Sequence, residues 1–393
     1  MPGAFFRGLR QGNAEPPPGS SGETMSSRIA AIAVFATAVF LSVGAHAEGD
    51  TGSSPAPGPN DVLNRPAMPS AIAAKKLLVA MARAGDSYVA VGPRGHIVVS
   101  ADGGTTWTQA RVPVSSDLTA VWFTNATRGW AVGHDGVVLT TGDGGASWEK
   151  QFDGVAANQV VLKDIEVKAA ANPESEELQH LLTEAQRNVE MGADKPFLDV
   201  WFENETTGFV VGAYNLIFHT VDGGKTWESW FDRVPNPQFM SLYSVRPAAG
   251  EVYVSGEQGT FFQLDREQQR FVARPVQYQG TLFGVVDAGS ALLTYGIKGN
   301  VFRSTDGGKT WATSDSKLAA TVVGGATLGP DDVVLADQGG RVVRSRDGGL
   351  TFEQVALPQT RPATSIIDAG GGRLGITGPF GVAIVAMGAA PAP

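Results

Sequence analysis

Ser100-Ala101-Asp102-Gly103-Gly104-Thr105-Thr106-Trp107 decides how the rest of the chain is read, because the same box returns four times. The copies run from Thr141 to Trp148, Thr220 to Trp227, Ser304 to Trp311 and Ser345 to Phe352. They share Ser/Thr-x-Asp-x-Gly-x-Ser/Thr-aromatic, with the aspartates at Asp102, Asp143, Asp222, Asp306 and Asp347. The aromatics are Trp107, Trp148, Trp227, Trp311 and Phe352. Such a box is expected to be structural. Its carboxylate accepts backbone N–H groups inside a tight hairpin, its glycine takes a positive φ, and its aromatic packs between neighbouring units. The alternating oxygen ligands of a calcium loop are missing, so no metal is expected.

The aspartates are 41, 79, 84 and 41 residues apart. A double spacing of 84 places a worn copy midway, at Leu264-Asp265 to Phe271, and 79 is one unit plus an insertion. A second element gives an independent count. Gly-x-x-Gly recurs at Gly92–Gly95, Gly133–Gly136, Gly256–Gly259, Gly296–Gly299 and Gly378–Gly381, with looser forms at Gly212–Asn215 and Ala336–Gly339. Each sits between two short apolar or alternating runs and reads as a hairpin turn.

Seven turns, each with a preceding apolar run and most with a following box, make four strands every forty-odd residues. That is a propeller blade. The expected fold is all-β: a seven-bladed β-propeller of four-stranded blades over residues 65–388, followed by a short tail, 389–393. The last unit, Ala363 to Met387, has three strands and no box, and residues Asp61 to Pro69 are expected to supply the fourth and close the ring. The insertion, about 153–196, reads as a helical hairpin between blades 2 and 3. Asn172-Pro173 would open its second helix, Leu178, Leu181, Leu182, Ala185 and Val189 form an apolar stripe, and Gly192 ends it. It either packs on the ring, the favoured reading, or docks a partner.

The N-terminus carries a different signal. Arg28, the apolar run from Ile29 to Val43 and Ala45-His46-Ala47 read as a secretory signal peptide over residues 1–47 with Met25 as the expected start and cleavage after Ala47. Residues 48–64, rich in Gly, Ser, Pro and Ala, read as a flexible linker. The run is short for a membrane span, so no span is expected after cleavage. With no Cys there is no residue for a lipid anchor, and a soluble, monomeric periplasmic protein is expected. The chain has 30 Lys and Arg against 39 Asp and Glu. Removing the three and two of the leader leaves 27 against 37, a net charge of about −10, so nucleic acid is not an expected partner.

Within a blade the Gly-x-x-Gly turns and the boxes emerge on opposite faces, and the links between blades emerge beside the turns. Propellers bind where such loops converge on the channel mouth. The turn face is expected to present Arg94, His96, His134, Asp135, Tyr214, Asn215, Glu257, Gln258, Lys298, Asn300, Gln338, Arg341 and Phe380. Fixed frames with variable tips fit an irregular protein partner, although hairpin tips are also polar simply because they are wet. The carbohydrate-hydrolase alternative needs an arginine cluster or a carboxylate pair on the inner strands. Those offer Arg83 as their arginine, with Lys75, Lys76, Asp199, Tyr243 and Asp368, and Asp199 and Asp368 lie on blades that are not neighbours. Phosphate loops, nucleophile elbows and His clusters are absent, so neither cofactor nor catalytic set is expected.

The box resembles the Asp-box, or BNR repeat, of sialidases and many other propellers. Two longer stretches, Leu118-Thr-Ala-Val-Trp-Phe-Thr-Asn-Ala-Thr-Arg-Gly-Trp-Ala-Val-Gly133 and Phe197-Leu-Asp-Val-Trp-Phe-Glu-Asn-Glu-Thr-Thr-Gly-Phe-Val-Val-Gly212, make the chain similar to the photosystem II stability and assembly factor family, in its non-photosynthetic bacterial branch. That resemblance covers roughly Arg65 to Met387. It implies a scaffold that binds and helps assemble an inner-membrane complex, in bacterial relatives one of the resistance-nodulation-division exporter type. The resemblance implies that photosynthetic members bind through an arginine-bearing face; at comparable tips this acidic chain has only Arg94, Arg341 and Lys298.

Overall fold

Strand formation follows the apolar runs. The computed structural model describes residues 61–388, so the expected leader, most of the linker and the tail lie outside the described residues. Seven antiparallel sheets form, six of four strands and one of three, each in simple sequential order. The inner strands are Ala80–Ala84, Leu118–Phe123, Phe197–Phe202, Leu242–Ala248, Leu282–Asp287, Val322–Gly329 and Ser365–Gly370. Each neighbours the next around the ring, and the seventh returns to the first.

The second strand of a blade is sandwiched between two other blades, which is why it is mostly apolar and largely buried. Gly129–Gly133, Gly208–Gly212 and Leu292–Gly296 are buried at every residue. The core is accordingly divided into seven clusters, one at each blade interface. Trp130 of blade 2 stacks on Phe202 of blade 3 at 3.5 Å and 5° between planes. Blade 7 is sewn to blade 1 by Tyr88 Oη donating to the Ala369 carbonyl at 2.6 Å and Thr364 Oγ1 donating to that of Leu78 at 2.7 Å.

Every box folds as its residues dictate. Asp143 accepts from Ser147 N at 3.0 Å and from Ser147 Oγ at 2.5 Å, while Thr141 Oγ1 donates to it at 2.8 Å and accepts from Gly145 N at 3.1 Å. These bonds hold the carboxyls of Asp102, Asp306 and Asp347 down at about 2. The worn box keeps the same logic, with Asp265 accepting from Glu267 N and Gln268 N.

Several expectations need correction. The segment expected to complete blade 7 lies elsewhere: Val62 O accepts from Ser115 N at 2.8 Å and Ala67 N donates to Val112 O at 3.0 Å, beside blades 1 and 2. Leu63 is buried there, so the last residues of the expected linker, 61–64, pack on the ring. Lys75 and Lys76 precede the first inner strand, on a single helical turn. The fourth inner strand runs on to Ala248 and carries Arg246, because Pro247 stands on the strand's free, channel-facing edge, where no N–H is needed. The sixth turn is one residue later than read, with Asp337 N bonded to Arg341 O and Gly340 taking the positive φ.

The insertion forms helices α1 (Gly154–Ala171) and α2 (Glu176–Met191). Asp153 caps α1. Ser175, not Asn172, caps α2, since its Oγ reaches Leu178 N and Asn172 ends α1. Ala157 shares a core with Phe152 and Phe197, so α1 packs on the ring. Asn158 Nδ2 then ties α2 down through Asn188 O at 2.8 Å and Gly192 O at 2.7 Å.

Candidate functional site

Two sets of hydrogen bonds separate the faces. On one, the turns meet the links between blades: His134 N donates to Asp117 O at 2.8 Å, Gly259 N to Gly280 O at 2.9 Å and Gln338 N to Thr321 O at 2.8 Å. On the other, boxes meet the first hairpins, as in Gly144 N to Thr127 O at 3.0 Å. The helical hairpin rises on the turn face, where Gly136 touches Gly154 so closely that a Cβ would lie 2.6 Å from the Gly154 Cα.

The turn frame is uniform and strained. Arg94, Asp135, Tyr214, Gln258 and Lys298 occupy one equivalent position with φ between 53° and 60°. The residue after each is glycine in four blades because the neighbouring link is too near for a side chain; a Cβ at Gly299 would lie 2.0 Å from Leu318 O. In blade 3 that place is held by Asn215, a residue that tolerates left-handed backbone.

Of the thirteen expected tips, Arg94, Tyr214, Gln258, Lys298, Arg341 and Phe380 are exposed. His96, His134, Asp135, Glu257, Asn300 and Gln338 are half-buried. Burial lowers His96 below the usual histidine range and raises the Asp135 carboxyl. Three tips serve the frame. Arg341 returns to Asp337 at 3.1 Å, Asn300 Nδ2 donates to Ile297 O at 2.9 Å, and Asn215 is buried and donates to Phe231 O at 3.0 Å. Asn215 is thereby removed from the expected contact surface.

Sequence reasoning missed the link between blades 3 and 4. Phe239 is exposed, stacks on Phe231 at 5.3 Å and has a φ of 52°, a genuine outlier for a bulky residue. Buried Asn236 imposes it by bonding Met240 N and O and the Oδ1 of Asn215. Tyr214 and Phe239 are therefore held outward by one buried pair of asparagines. The available signal was Pro235-Asn236-Pro237, a turn sequence followed by aromatic and apolar residues.

The turn face opens on a central channel of about 600 Å³. Inner strands 2 to 6 each carry a bulge at its mouth, leaving Thr119, Leu198, Tyr243, Phe283 and Val323 unpaired. All five line the channel. A bulge re-aims a side chain, and here it builds a largely apolar collar in which Tyr243 meets Phe283 edge-on at 5.2 Å. Burial, helped by the charge of Glu257, pushes the Tyr243 hydroxyl up to about 12.

Deeper in, Asp199 is buried and pairs with Arg246 at 2.7 Å while accepting from Val245 N at 2.9 Å. Arg246 also lies 5.2 Å above the Trp122 ring. Asp368 accepts from Gly370 N at 2.8 Å. The structure does not bring Asp199 and Asp368 together as a pair: each is bonded within its own surroundings. Among the described residues no cluster of three His, Cys, Asp or Glu could hold a metal, and no helix is long and apolar enough to cross a membrane.

Seven radial blades with hydrogen-bonded aspartate hairpins define a β-propeller. Its solved neighbours share that architecture: a YCF48 bound to D1 peptide, at a TM-score of 0.57 and 16% identity, covers 80% of this chain and 95% of its own. YCF48 from Cyanidioschyzon merolae gives 0.56 and 18%, over 81% and 97%. The Niastella koreensis GH74 enzyme gives 0.54 and 13%, over 80% of this chain and 54% of the enzyme. At these identities the likeness is one of fold. The family follows from sequence: residues 99–171 and 178–311, more than half of the chain, match the profile of photosynthesis system II assembly factor YCF48, and the protein belongs to that family. Photosystem II assembly lipoprotein Ycf48 of Prochlorococcus marinus is 32% identical over 127 residues, 31% of this chain. That of a Synechococcus species is 27% identical over 129 residues, 32% of this chain. The matched part spans 37% and 38% of these relatives' lengths.

Proposed function

We propose that this chain is a non-enzymatic assembly factor whose turn face binds a polypeptide segment of an inner-membrane protein complex, in the periplasm after cleavage behind Ala47. The observation that carries the reading is the frame itself. One strained backbone conformation presents Arg94, Tyr214, Gln258 and Lys298 outward from four different blades, and a second strained link adds Phe239. Strain of this kind persists where a surrounding structure enforces it and concentrates at binding sites. Exposed aromatics on the same face as cationic tips suit a peptide with apolar anchors and acidic groups. Family membership and a relative solved with a bound peptide support the same class of partner. An exporter of the resistance-nodulation-division type is the specific complex we favour.

A photo-crosslinking residue placed at Tyr214 or Lys298, and at Thr105 on the box face as a control, tests this in the native host. Crosslinks to one membrane-complex subunit from the turn face alone are expected. Equal capture from both faces, or none from Tyr214, would overturn the assignment.

A further inference from the structure

Blade 7 has an open slot. In four other blades the outer strand donates an N–H to the first residue of the third strand: Ala110 to Ile97 O at 2.8 Å, Trp230 to Ile217 O at 3.0 Å, Arg274 to Phe261 O at 2.7 Å and Val355 to Val342 O at 2.8 Å. The equivalent carbonyl in blade 7 belongs to Val382, at the start of the third strand, Gly381–Ala386. No described N–H reaches its outer side. Strand alternation turns the N–H groups of Val382 and Ile384 the same way. The edge is Gly-Val-Ala-Ile-Val-Ala, with none of the charges or prolines that usually blunt an exposed edge. Beside it runs a groove of about 170 Å³ lined by Leu357, Ile376, Val385 and the exposed Phe380.

We propose that this edge takes a β-strand from a second protein, completing blade 7 from outside the ring. The described part of the chain cannot fill it, because residues 61–70 are bonded along blades 1 and 2. Outer strands here run antiparallel to third strands, so the guest enters at the box face and ends at the turn face. Its end meets Arg361, which lines the groove, and Lys75, whose Cα a Cβ on Gly381 would approach to 2.8 Å. Neither is in an ion pair with a described carboxylate. The fitting segment is therefore extended, alternately apolar, and acidic just after the strand. This surface is the rim of the ring, so it can fail or hold independently of the turn-face reading.

The probe is a blocked synthetic peptide of sequence TWTVTVDD, compared with the same peptide bearing proline at alternate positions. Added to the whole secreted chain, it should slow amide exchange at Val382 and Ile384 by about tenfold or more, leave Val301 of blade 5 unchanged, and bind less well to Arg361→Glu. The proline peptide should do nothing. Unchanged exchange at Val382 and Ile384 would overturn the proposal. So would amides as protected as that of Ile217 before any peptide is added, because the slot would then be filled by the chain's own undescribed residues. Arg361→Glu changes an exposed side chain, so it tests binding without challenging the fold.

Discussion

Asn236 Nδ2 donates to Asn215 Oδ1 at 2.9 Å, and that bond joins the frame of one turn tip to the frame of a neighbouring link. Both residues are buried, and each controls an exposed aromatic on left-handed backbone, Tyr214 and Phe239. Asn236→Ala leaves the Asn215 oxygen without this donor and frees Met240 N from its side-chain acceptor. A buried group left unsatisfied costs about 1–3 kcal/mol. The urea midpoint should fall with an unchanged slope, while Tyr214→Ala, at an exposed side chain, should leave stability within about 0.5 kcal/mol and reduce partner crosslinking. Comparable stability losses for both would mean that the aromatic, and not the asparagine pair, organises the loop.

The boxes make the acid limb of stability predictable. Asp102, Asp306 and Asp347 are held at about 2, below the ordinary value of 3.8, chiefly by the side-chain and backbone hydrogen bonds of the residue four places on. A depressed carboxylate contributes stability that is complete above its unfolded value and lost as pH falls through its folded one. The melting temperature should therefore decline between about pH 4 and pH 2. Asp306→Asn should flatten that decline while lowering stability at neutral pH. A variant with an unaltered acid limb would show that these bonds are not the source.

Blade counting succeeded from sequence because the frame residues are forced. Glycine at Gly133 is dictated by Asp117 O, 2.1 Å from where a Cβ would sit, so the turn had to repeat visibly. Where two solutions have equal local propensity, the reading failed. Asn172-Pro173 and Ser175-Glu176 both suit a helix start, and the packing of α2 on α1 selects the second. Arg246 was missed for a related reason. Proline normally ends a strand, but an inner strand has one edge open to the channel, and Pro247, opposite Val252 on the paired side, turns its nitrogen to that open edge. The destination of residues 61–69 was not legible at all: a missing strand shows as a gap in a period, and a period says nothing of which segment fills it.

The blade 2 and blade 3 interface carries the densest aromatic packing. Phe202 stacks on Trp130 and meets Trp227 edge-on at 6.1 Å. Phe202→Ala should cost about 3–5 kcal/mol through lost transfer energy and a cavity, and Phe202→Leu appreciably less. Chemical denaturation of the two variants distinguishes them, and equal losses would mean that ring stacking, more than volume, holds these blades together.

Asp199 and Arg246 give the sharpest contrast between structural and chemical roles for the channel. Burial alone raises the Asp199 carboxyl, and the Arg246 guanidinium opposes that shift without overcoming it. Removing Arg246 leaves a buried acid with no cation, and breaking a buried pair costs roughly 3–5 kcal/mol. Arg246→Leu should therefore destabilise strongly, whereas Asp199→Leu with Arg246→Leu should recover much of the loss, because no buried carboxylate is then left without its cation. A double-mutant cycle by denaturant unfolding measures the difference. Partner crosslinking through Tyr214 should survive in the double variant, since the pair lies inside the channel, away from the turn tips. If the double variant folds as well as the native chain yet loses its partner, then the channel itself is part of the interface, and the collar of Leu198, Tyr243 and Phe283 becomes the surface to probe next.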